Sequence, residues 1–144
     1  GACATMDWTA GYLRRRCFWN WTCLSGVLPD GRCVGVNGAC GVNETSYTEN
    51  CFWVDGKLHK VDSIAFDYDP NDLFKPWHIT SYDGKLDLHF TPEGSMDEKN
   101  NFIVMASAFD QMIGRYRGML KTDDGETIEL ADMYGFTEEH YAKW

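Results

Sequence analysis

Turn motifs recur along the chain and divide it into short segments with strand character. They include Pro29-Asp30-Gly31, Asp55-Gly56, Asp83-Gly84 and Asp123-Asp124-Gly125. Asp-Gly between apolar segments is a strong hairpin signal, because both residues tolerate the left-handed backbone of a tight turn. The segments between turns predict about nine strands, at residues 12–23, 32–40, 50–54, 58–68, 76–81, 86–90, 101–110, 115–121 and 127–130. Turns at this spacing, about every 8–12 residues, are typical of an antiparallel sandwich or barrel.

Two segments depart from this pattern. Residues 137–143 predict a helix, the only one in the chain, with Thr137 as N-cap and Glu138 and Glu139 in the first turn. Residues 92–101 contain a proline and a glycine near their start and predict a polar loop. We therefore predict an all-β fold: an antiparallel barrel of about eight to nine strands with a short C-terminal helix.

Length and charge exclude several classes of protein. A chain of 144 residues, 44% hydrophobic and 15% aromatic, can form one packed core and is too short for two ordinary domains. The 22 acidic and 13 basic side chains give a net charge of −9, which disfavours binding to nucleic-acid phosphates. The longest uncharged apolar stretch, residues 102–109, is far shorter than the roughly 18 residues that cross a bilayer. We expect one domain, residues 1–144, with no nucleic-acid partner and no transmembrane segment.

Six cysteines occur at positions 3, 17, 23, 33, 40 and 51. An even number in one region is compatible with a disulfide framework. However, the chain has enough apolar residues to fold without covalent links, and the cysteines lie in apolar strands, where cysteine acts as a small hydrophobe. No CxxC pair is present, so neither a zinc ribbon nor a redox motif is indicated. We expect reduced cysteines and a cytoplasmic protein.

The sequence contains no standard catalytic signature: GxSxG, HExxH, Walker A and GxGxxG are all missing. The candidate site residues are therefore polar side chains among aromatics. Asn37, Asn43, Glu49 and Asn50 form the first group. A carboxylate beside amides in a barrel mouth can orient a polar ligand or act as a general base. The alternative is turn chemistry, since such residues also satisfy backbone groups in loops.

Arg115 is a second candidate, within Arg115-Tyr116-Arg117 after Gly114. If it is buried, its guanidinium can pair with Glu49 or bind a carboxylate through two hydrogen bonds. The alternative is an exposed strand on which the arginines point outward while Tyr116 packs inside.

The four histidines, at positions 59, 78, 89 and 140, are scattered along the chain. None lies two or four residues from another, so a local metal motif is missing, and we predict no metal and no cofactor. His140, in the aromatic-rich segment 136–144, is the best candidate for a proton carrier, with a purely structural histidine as the alternative.

Aromatic residues form the last candidate group: Phe18, Trp19, Trp21, Phe52, Trp53 and Trp77. They can line an apolar ligand pocket or form the core. Several strands are apolar on both faces, as in residues 102–109. Strands of this kind are covered on both sides, so we expect a second domain or a partner over one face.

Several motifs resemble a known family. They are Arg15-Arg16-Cys17-Phe18-Trp19-Asn20-Trp21, Gly35-Val36-Asn37, Asn43-Glu44-Thr45, Glu49-Asn50, Trp53-Val54-Asp55-Gly56-Lys57-Leu58-His59, Pro76-Trp77-His78-Ile79, Leu86-Asp87-Leu88-His89-Phe90-Thr91-Pro92-Glu93, Gly114-Arg115-Tyr116-Arg117-Gly118 and Gly135-Phe136-Thr137-Glu138-Glu139-His140. In this order they resemble the bacterial domain of unknown function 2804 over nearly the whole chain.

The resemblance implies a longer, two-barrel protein of which this chain is the C-terminal half. More distantly, the family is similar to calycin-like two-barrel proteins such as carotenoid hydratases and other isoprenoid-handling proteins, which implies a calycin- or lipocalin-like barrel. It carries no activity with it, because fold analogy does not determine function.

Three functions are compatible with these residues. The leading hypothesis is binding of a hydrophobic small molecule, lipid or isoprenoid-like, with ligand contacts from Trp19, Trp21, Asn37, Asn50, Trp53 and Tyr116. The second is a hydratase, cyclase or isomerase acting on an apolar substrate, with Glu49 as acid or base, Arg115 orienting it and His140 as a second proton carrier. The third is a structural or assembly domain. The expected partners are an apolar small molecule and the N-terminal barrel half of the same protein.

Overall fold

The computed structural model describes residues 3–8, 10–42, 47–102 and 104–144. The strands are β1 Arg16–Val27, β2 Cys33–Cys40, β3 Cys51–Val54, β4 Lys57–Lys60, β5 Ile64–Asp67, β6 Trp77–Ser81, β7 Leu86–Phe102, β8 Met105–Lys121 and β9 Thr127–Lys143. They form one sheet in the order β4-β3-β2-β1-β9-β8-β7-β6-β5, with antiparallel neighbours throughout. The predicted all-β antiparallel class is confirmed.

The sheet curls into a half-barrel, consistent with a calycin-like barrel. The first strand, β1, and the last strand, β9, pair with each other at the centre of the sheet, where β9 lies between β1 and β8. Its two edge strands, β4 and β5, are separated by only residues 61–63. Hydrogen bonds cross between the two edge regions, from the Asp62 backbone N–H to Asp83 at 3.1 Å and from Lys85 Nζ to the Lys60 carbonyl at 2.9 Å. Each edge strand is only four residues long, which limits the strand edge that is exposed.

The predicted helix at residues 137–143 is wrong, since these residues form the second half of β9. Thr137 pairs with Thr22 on one side and with Met112 on the other. A capping pattern is a local preference, whereas two neighbouring strands satisfy the backbone on both sides, and this pairing overrides it. No helix occurs in the ranges given above, and so none that is long and apolar enough to cross a membrane.

The predicted polar loop at residues 92–101 is also strand. β7 runs through it, with a register shift between Pro92 and Gly94. Proline has no N–H to donate and is tolerated where the ladder is irregular. β8 likewise unites the two strands predicted at 101–110 and 115–121. β7 and β8 therefore form one long hairpin.

The core fills the inner face of the curled sheet. Its largest fully buried side chains include Trp77, Tyr116, Phe52, Phe90, Leu24, Ile79 and Leu88. The Tyr116 hydroxyl lies 2.6 Å from the Thr22 hydroxyl and 2.8 Å from that of Thr137, which links β8 to β1 and β9. Burial raises the pKa of Tyr116 well above its ordinary value, so the hydroxyl stays neutral.

Two glycines let aromatic rings lie directly on the strands. A Cβ at Gly114 would come within 2.9 Å of the Phe90 ring, and one at Gly135 within 2.8 Å of the Tyr116 ring. Real Cβ atoms do not approach carbon atoms so closely, so the core packing requires glycine at both positions.

The opposite side of the sheet, here named the outer face, also carries apolar side chains. Across β1, β9 and β8 it presents three rows of paired residues: Trp19–His140–Phe109, Trp21–Glu138–Gln111 and Cys23–Phe136–Ile113. Thr5 and Trp8, which precede β1, line cavities on this face together with Cys23 and Trp21. The central strands are therefore apolar on both faces.

Candidate functional site

Two adjoining cavities lie on the outer face, and together they form what we name the outer-face groove. The first, of about 460 Å³, is lined by Asp7, Trp8, Leu13, Trp19, Trp21, Ala39, Val42, Glu49, Glu138, His140 and Trp144. The second, of about 510 Å³, is lined by Trp19, Asn100, Phe102, Met105, Ala106, Ser107, His140, Ala142, Lys143 and Trp144. Trp19, His140 and Trp144 line both, so the cavities are neighbours separated by these three side chains.

Glu138 is the most deeply buried polar side chain lining the groove, with 5% of its surface exposed. Its carboxylate accepts hydrogen bonds from Trp19 Nε1 and Gln111 Nε2, both at 3.2 Å. Burial raises the pKa of Glu138 above its ordinary value, because the charged form loses its hydration, and this outweighs the two hydrogen bonds that lower it. Glu138 is therefore a carboxyl that holds its proton to higher pH than an exposed one.

His140 lies two residues further along β9, on the same face. Its Nε2 is 3.0 Å from the Ser107 hydroxyl. Its ring lies against that of Trp19 with centroids 4.1 Å apart, and the Phe109 ring is inclined at 68° to it with centroids 5.2 Å apart. Burial lowers the pKa of His140, which favours the neutral imidazole. A neutral imidazole has one donor and one acceptor nitrogen, so it can take up a proton.

Asn37 and Glu49 lie at the edge of the groove beside Trp21. Asn37 accepts a hydrogen bond from Trp21 Nε1 at 2.9 Å and donates to the backbone carbonyl and the carboxylate of Glu49, at 3.3 and 3.4 Å. Glu49 lines the first cavity but is exposed. The structure therefore brings together five of the predicted site residues: Trp19, Trp21, Asn37, Glu49 and His140.

Arg115 lies away from this group and does not pair with Glu49. Its guanidinium binds Glu93 at 3.0 Å and Asp132 at 2.7 Å. It also donates to the Tyr134 hydroxyl at 2.6 Å and lies 4.0 Å from the centre of that ring. The position of the Arg115 guanidinium is therefore explained by two carboxylates and one aromatic ring at the surface.

The other predicted ligand contacts are also placed outside the groove. Asn50 is buried, accepts from the Ala39 backbone N–H at 2.8 Å and donates to the Asp62 carbonyl at 3.2 Å, which is the turn chemistry left open above. Tyr116 lies in the core. Trp53, on β3, lines a neighbouring cavity with Asn37 and Glu49. Asn43 lies outside the described residues.

Glu138 is the site residue that sequence reasoning missed, because it was assigned to the first turn of a helix. The alternation of residues 136–142 was the available signal. Phe136, Glu138 and His140 take one face of β9, while Thr137 and Glu139 take the other. Period-two alternation with threonine and aromatics favours a strand and would have placed Glu138 beside His140.

Fold and site together define an all-β half-barrel domain with an apolar groove on its outer face. The model of a family described as a domain of unknown function, DUF2804, matches residues 1–144, and the chain belongs to this family. A search of curated proteins and a search of solved structures each found no match. The more distant similarity to carotenoid hydratases stays a prediction.

Proposed function

We propose that the domain binds an apolar small molecule of the lipid or isoprenoid class in the outer-face groove. The observation that carries this is the pair of adjoining cavities, of about 460 and 510 Å³, walled by Trp19, Trp144 and Phe102. Small-molecule sites are concave, mostly apolar and roughly 300–1,000 Å³ in volume. Two such spaces side by side fit an elongated molecule better than a compact one.

The polar groups of the groove support recognition of one functional group on that molecule. Glu138 in its protonated form can donate to a hydroxyl or carbonyl oxygen, and its raised pKa favours that form. The remaining walls near it are the rings of Trp19 and Trp21. A ligand with one oxygen-bearing end and a long apolar part matches this distribution.

We also propose that the exposed part of the outer face packs against the N-terminal barrel half of a longer protein. Phe102 and Met105, direct partners across the β7–β8 hairpin, are 65% and 54% exposed. Contiguous apolar surface of this kind marks interaction sites more often than free solvent contact. The cavities lie beside this surface, so a second half placed there would enclose the ligand. A cytoplasmic location stays a prediction from cysteine usage.

A purely structural domain is less well supported, because it requires both strand faces to be filled without a cavity. The outer face holds the two cavities described above.

An acid–base enzyme acting on an apolar substrate is the second candidate, and one observation favours it. The buried carboxyl of Glu138, with a raised pKa, lies two residues from the imidazole of His140, with a lowered pKa. A carboxyl and an imidazole on one face of a strand can act as a general acid and a general base. In this version Glu138 takes the acid role first predicted for Glu49.

The test of binding is native mass spectrometry of the full-length protein purified from its own host. A reproducible extra mass that passes into an organic extract supports the proposal. Trp19→Ala should remove that mass, while Tyr82→Ala, at an exposed aromatic that lines neither cavity of the groove, should retain it. With N-phenyl-1-naphthylamine as an added apolar probe, Trp19→Ala should weaken binding at least about tenfold. Retention of mass and probe by Trp19→Ala would overturn the assignment of the groove.

The enzyme alternative is tested by adding an organic extract of the host to the protein and following substrate masses and retention times. Addition of water, or a change of retention at constant mass, would indicate a hydratase, or an isomerase or cyclase. Glu138→Gln should abolish turnover and retain the bound mass. Glu139→Gln is the matched control, because Glu139 is the next residue and lies on the opposite face, where it accepts a hydrogen bond from Tyr68. Equal loss in both variants would contradict a role for Glu138 at the reacting atoms.

A further inference from the structure

A second cluster of chemically active side chains lies on β6 and β7, distinct from the outer-face groove. His78 and His89 are direct partners across the two strands, and their rings stack with centroids 4.3 Å apart and planes 5° apart. Asp87 lies two residues before His89, on the same side of β7. Its Oδ1 is 2.7 Å from Nε2 of His78.

We propose that His78, Asp87 and His89 bind a divalent transition-metal ion, with Zn²⁺ as the first choice. One ligand atom from each residue lies within 4.8 Å of the other two. A tetrahedral ion with bonds of about 2.1 Å needs its ligand atoms about 3.4 Å apart, which is within reach of small side-chain rotations. Two imidazoles and one carboxylate suit Zn²⁺, Cu²⁺ and Ni²⁺ better than Mg²⁺ or Ca²⁺.

The strands below the triad hold its backbone in place. The His78–His89 pair lies between two other cross-strand pairs, Trp77–Phe90 and Ile79–Leu88. Those four side chains are at most 1% exposed. Close packing beneath the site prevents backbone adjustment, so binding requires only rotation of the two imidazoles and the carboxylate.

The charges around the triad also favour a cation. Asp67 on β5 pairs with His78, and Arg117 on β8 pairs with His89. With both imidazoles neutral, the two carboxylates and the guanidinium give a net charge of −1. The triad lies at the surface, where the His78 and Asp87 side chains are 40% and 51% exposed. Three protein ligands leave the fourth coordination position open to water or another ligand, as in catalytic rather than structural zinc sites.

The site escaped sequence inspection because its histidines are eleven residues apart in the chain and become neighbours only through strand pairing. A cross-strand pair has no characteristic spacing, unlike histidines four residues apart on a helix. The triad is independent of the groove, so loss of one leaves the other intact.

The experiment is a titration of ZnCl₂ into the full chain by calorimetry, with Co²⁺ as a spectroscopic substitute. We expect one ion per chain and a cobalt spectrum without thiolate charge-transfer bands. His78→Gln and His89→Gln should each weaken binding at least about tenfold, since even loss of an outer partner of a metal ligand has an effect of about that size. Asp87→Asn should also weaken binding. Its matched control, Asp97→Asn, lies on the same strand about 33 Å away and should bind zinc as the wild type does.

A second measurement keeps the test decisive. In NMR spectra Zn²⁺ should shift the ring signals of His78 and His89 and leave those of His59 and His140 unchanged. The three ligand variants and the Asp97→Asn control all carry surface substitutions, and circular dichroism checks that they fold. Unchanged zinc affinity in His78→Gln and His89→Gln, or a cobalt spectrum dominated by thiolate bands, would overturn the site and assign any bound metal to the cysteines.

Discussion

The two faces of β1, β8 and β9 are built from the same strands yet differ in character. On the inner face Tyr116, Thr22 and Thr137 are at most 1% exposed and bond to one another. On the outer face Trp19, Gln111 and His140 are only partly buried and surround the carboxyl of Glu138. Neighbouring residues thus serve stability on one side and a candidate site on the other. Side chains of a strand alternate between faces, which makes this division possible.

The difference in packing between the two faces is tested most directly by the same substitution on each face. Phe90→Ala, on the inner face, should reduce the free energy of unfolding by about 3–5 kcal/mol, because a fully buried ring leaves a cavity. Phe109→Ala, on the partly buried outer face, should reduce it by about 1 kcal/mol. Urea unfolding of both variants measures the difference. Equal losses would mean that the outer face is packed as tightly as the core.

A smaller loss of stability is expected when a methyl group is added to the packed inner face. Gly114→Ala places a methyl group against the Phe90 ring and the Thr91 carbonyl, so we expect a loss of about 1–3 kcal/mol. Gly94→Ala is the matched control, because nothing lies within 4 Å of its Cβ position. There we expect no loss, or a gain of up to about 1 kcal/mol. Thermal unfolding measures the stability of both variants. An unchanged stability of Gly114→Ala would show that the inner face can rearrange to accept the added methyl group.

The smallest effect concerns the pH dependence of stability on the outer face. Burial raises the pKa of Glu138 above its ordinary value of 4.5, so the folded state holds this proton more tightly than the unfolded state. The resulting stabilisation is complete at low pH and is lost as the pH rises from about 4.5 through the raised pKa. The free energy of unfolding of the wild type, minus that of Glu138→Gln, should fall across this range. A difference that stays constant with pH would contradict the burial of this carboxyl.

The all-β antiparallel class followed from the turn motifs because turn chemistry is local. Asp55-Gly56 connects β3 and β4, and Asp55 and Gly56 both take the positive φ that the motif predicts. The error at residues 137–143 has the opposite cause. Thr137 and the two glutamates satisfy a helix-capping pattern locally, and only the neighbouring strands show that the segment is part of a sheet.

The candidate site was predictable in part for the same reason. Trp19 and Trp21 share one face within a single strand, so their proximity needs only alternation. Asn37 joins them from the next strand of a hairpin, and the turn determines that pairing. Arg115 was expected beside Glu49, yet its partners Glu93 and Asp132 are set by the pairing of β7, β8 and β9.

Local residue chemistry was therefore sufficient for the all-β class, for turns such as Asp55-Gly56 and for the two-sided apolar pattern of this chain, but not for the full length of β7, β8 and β9. The tertiary structure decided which strands became neighbours. It placed Trp19 opposite His140 and His78 opposite His89. The physical reason is that a turn depends on a few adjacent dihedral angles, whereas the pairing of β1 with β9 depends on the packing of the whole core across more than a hundred residues.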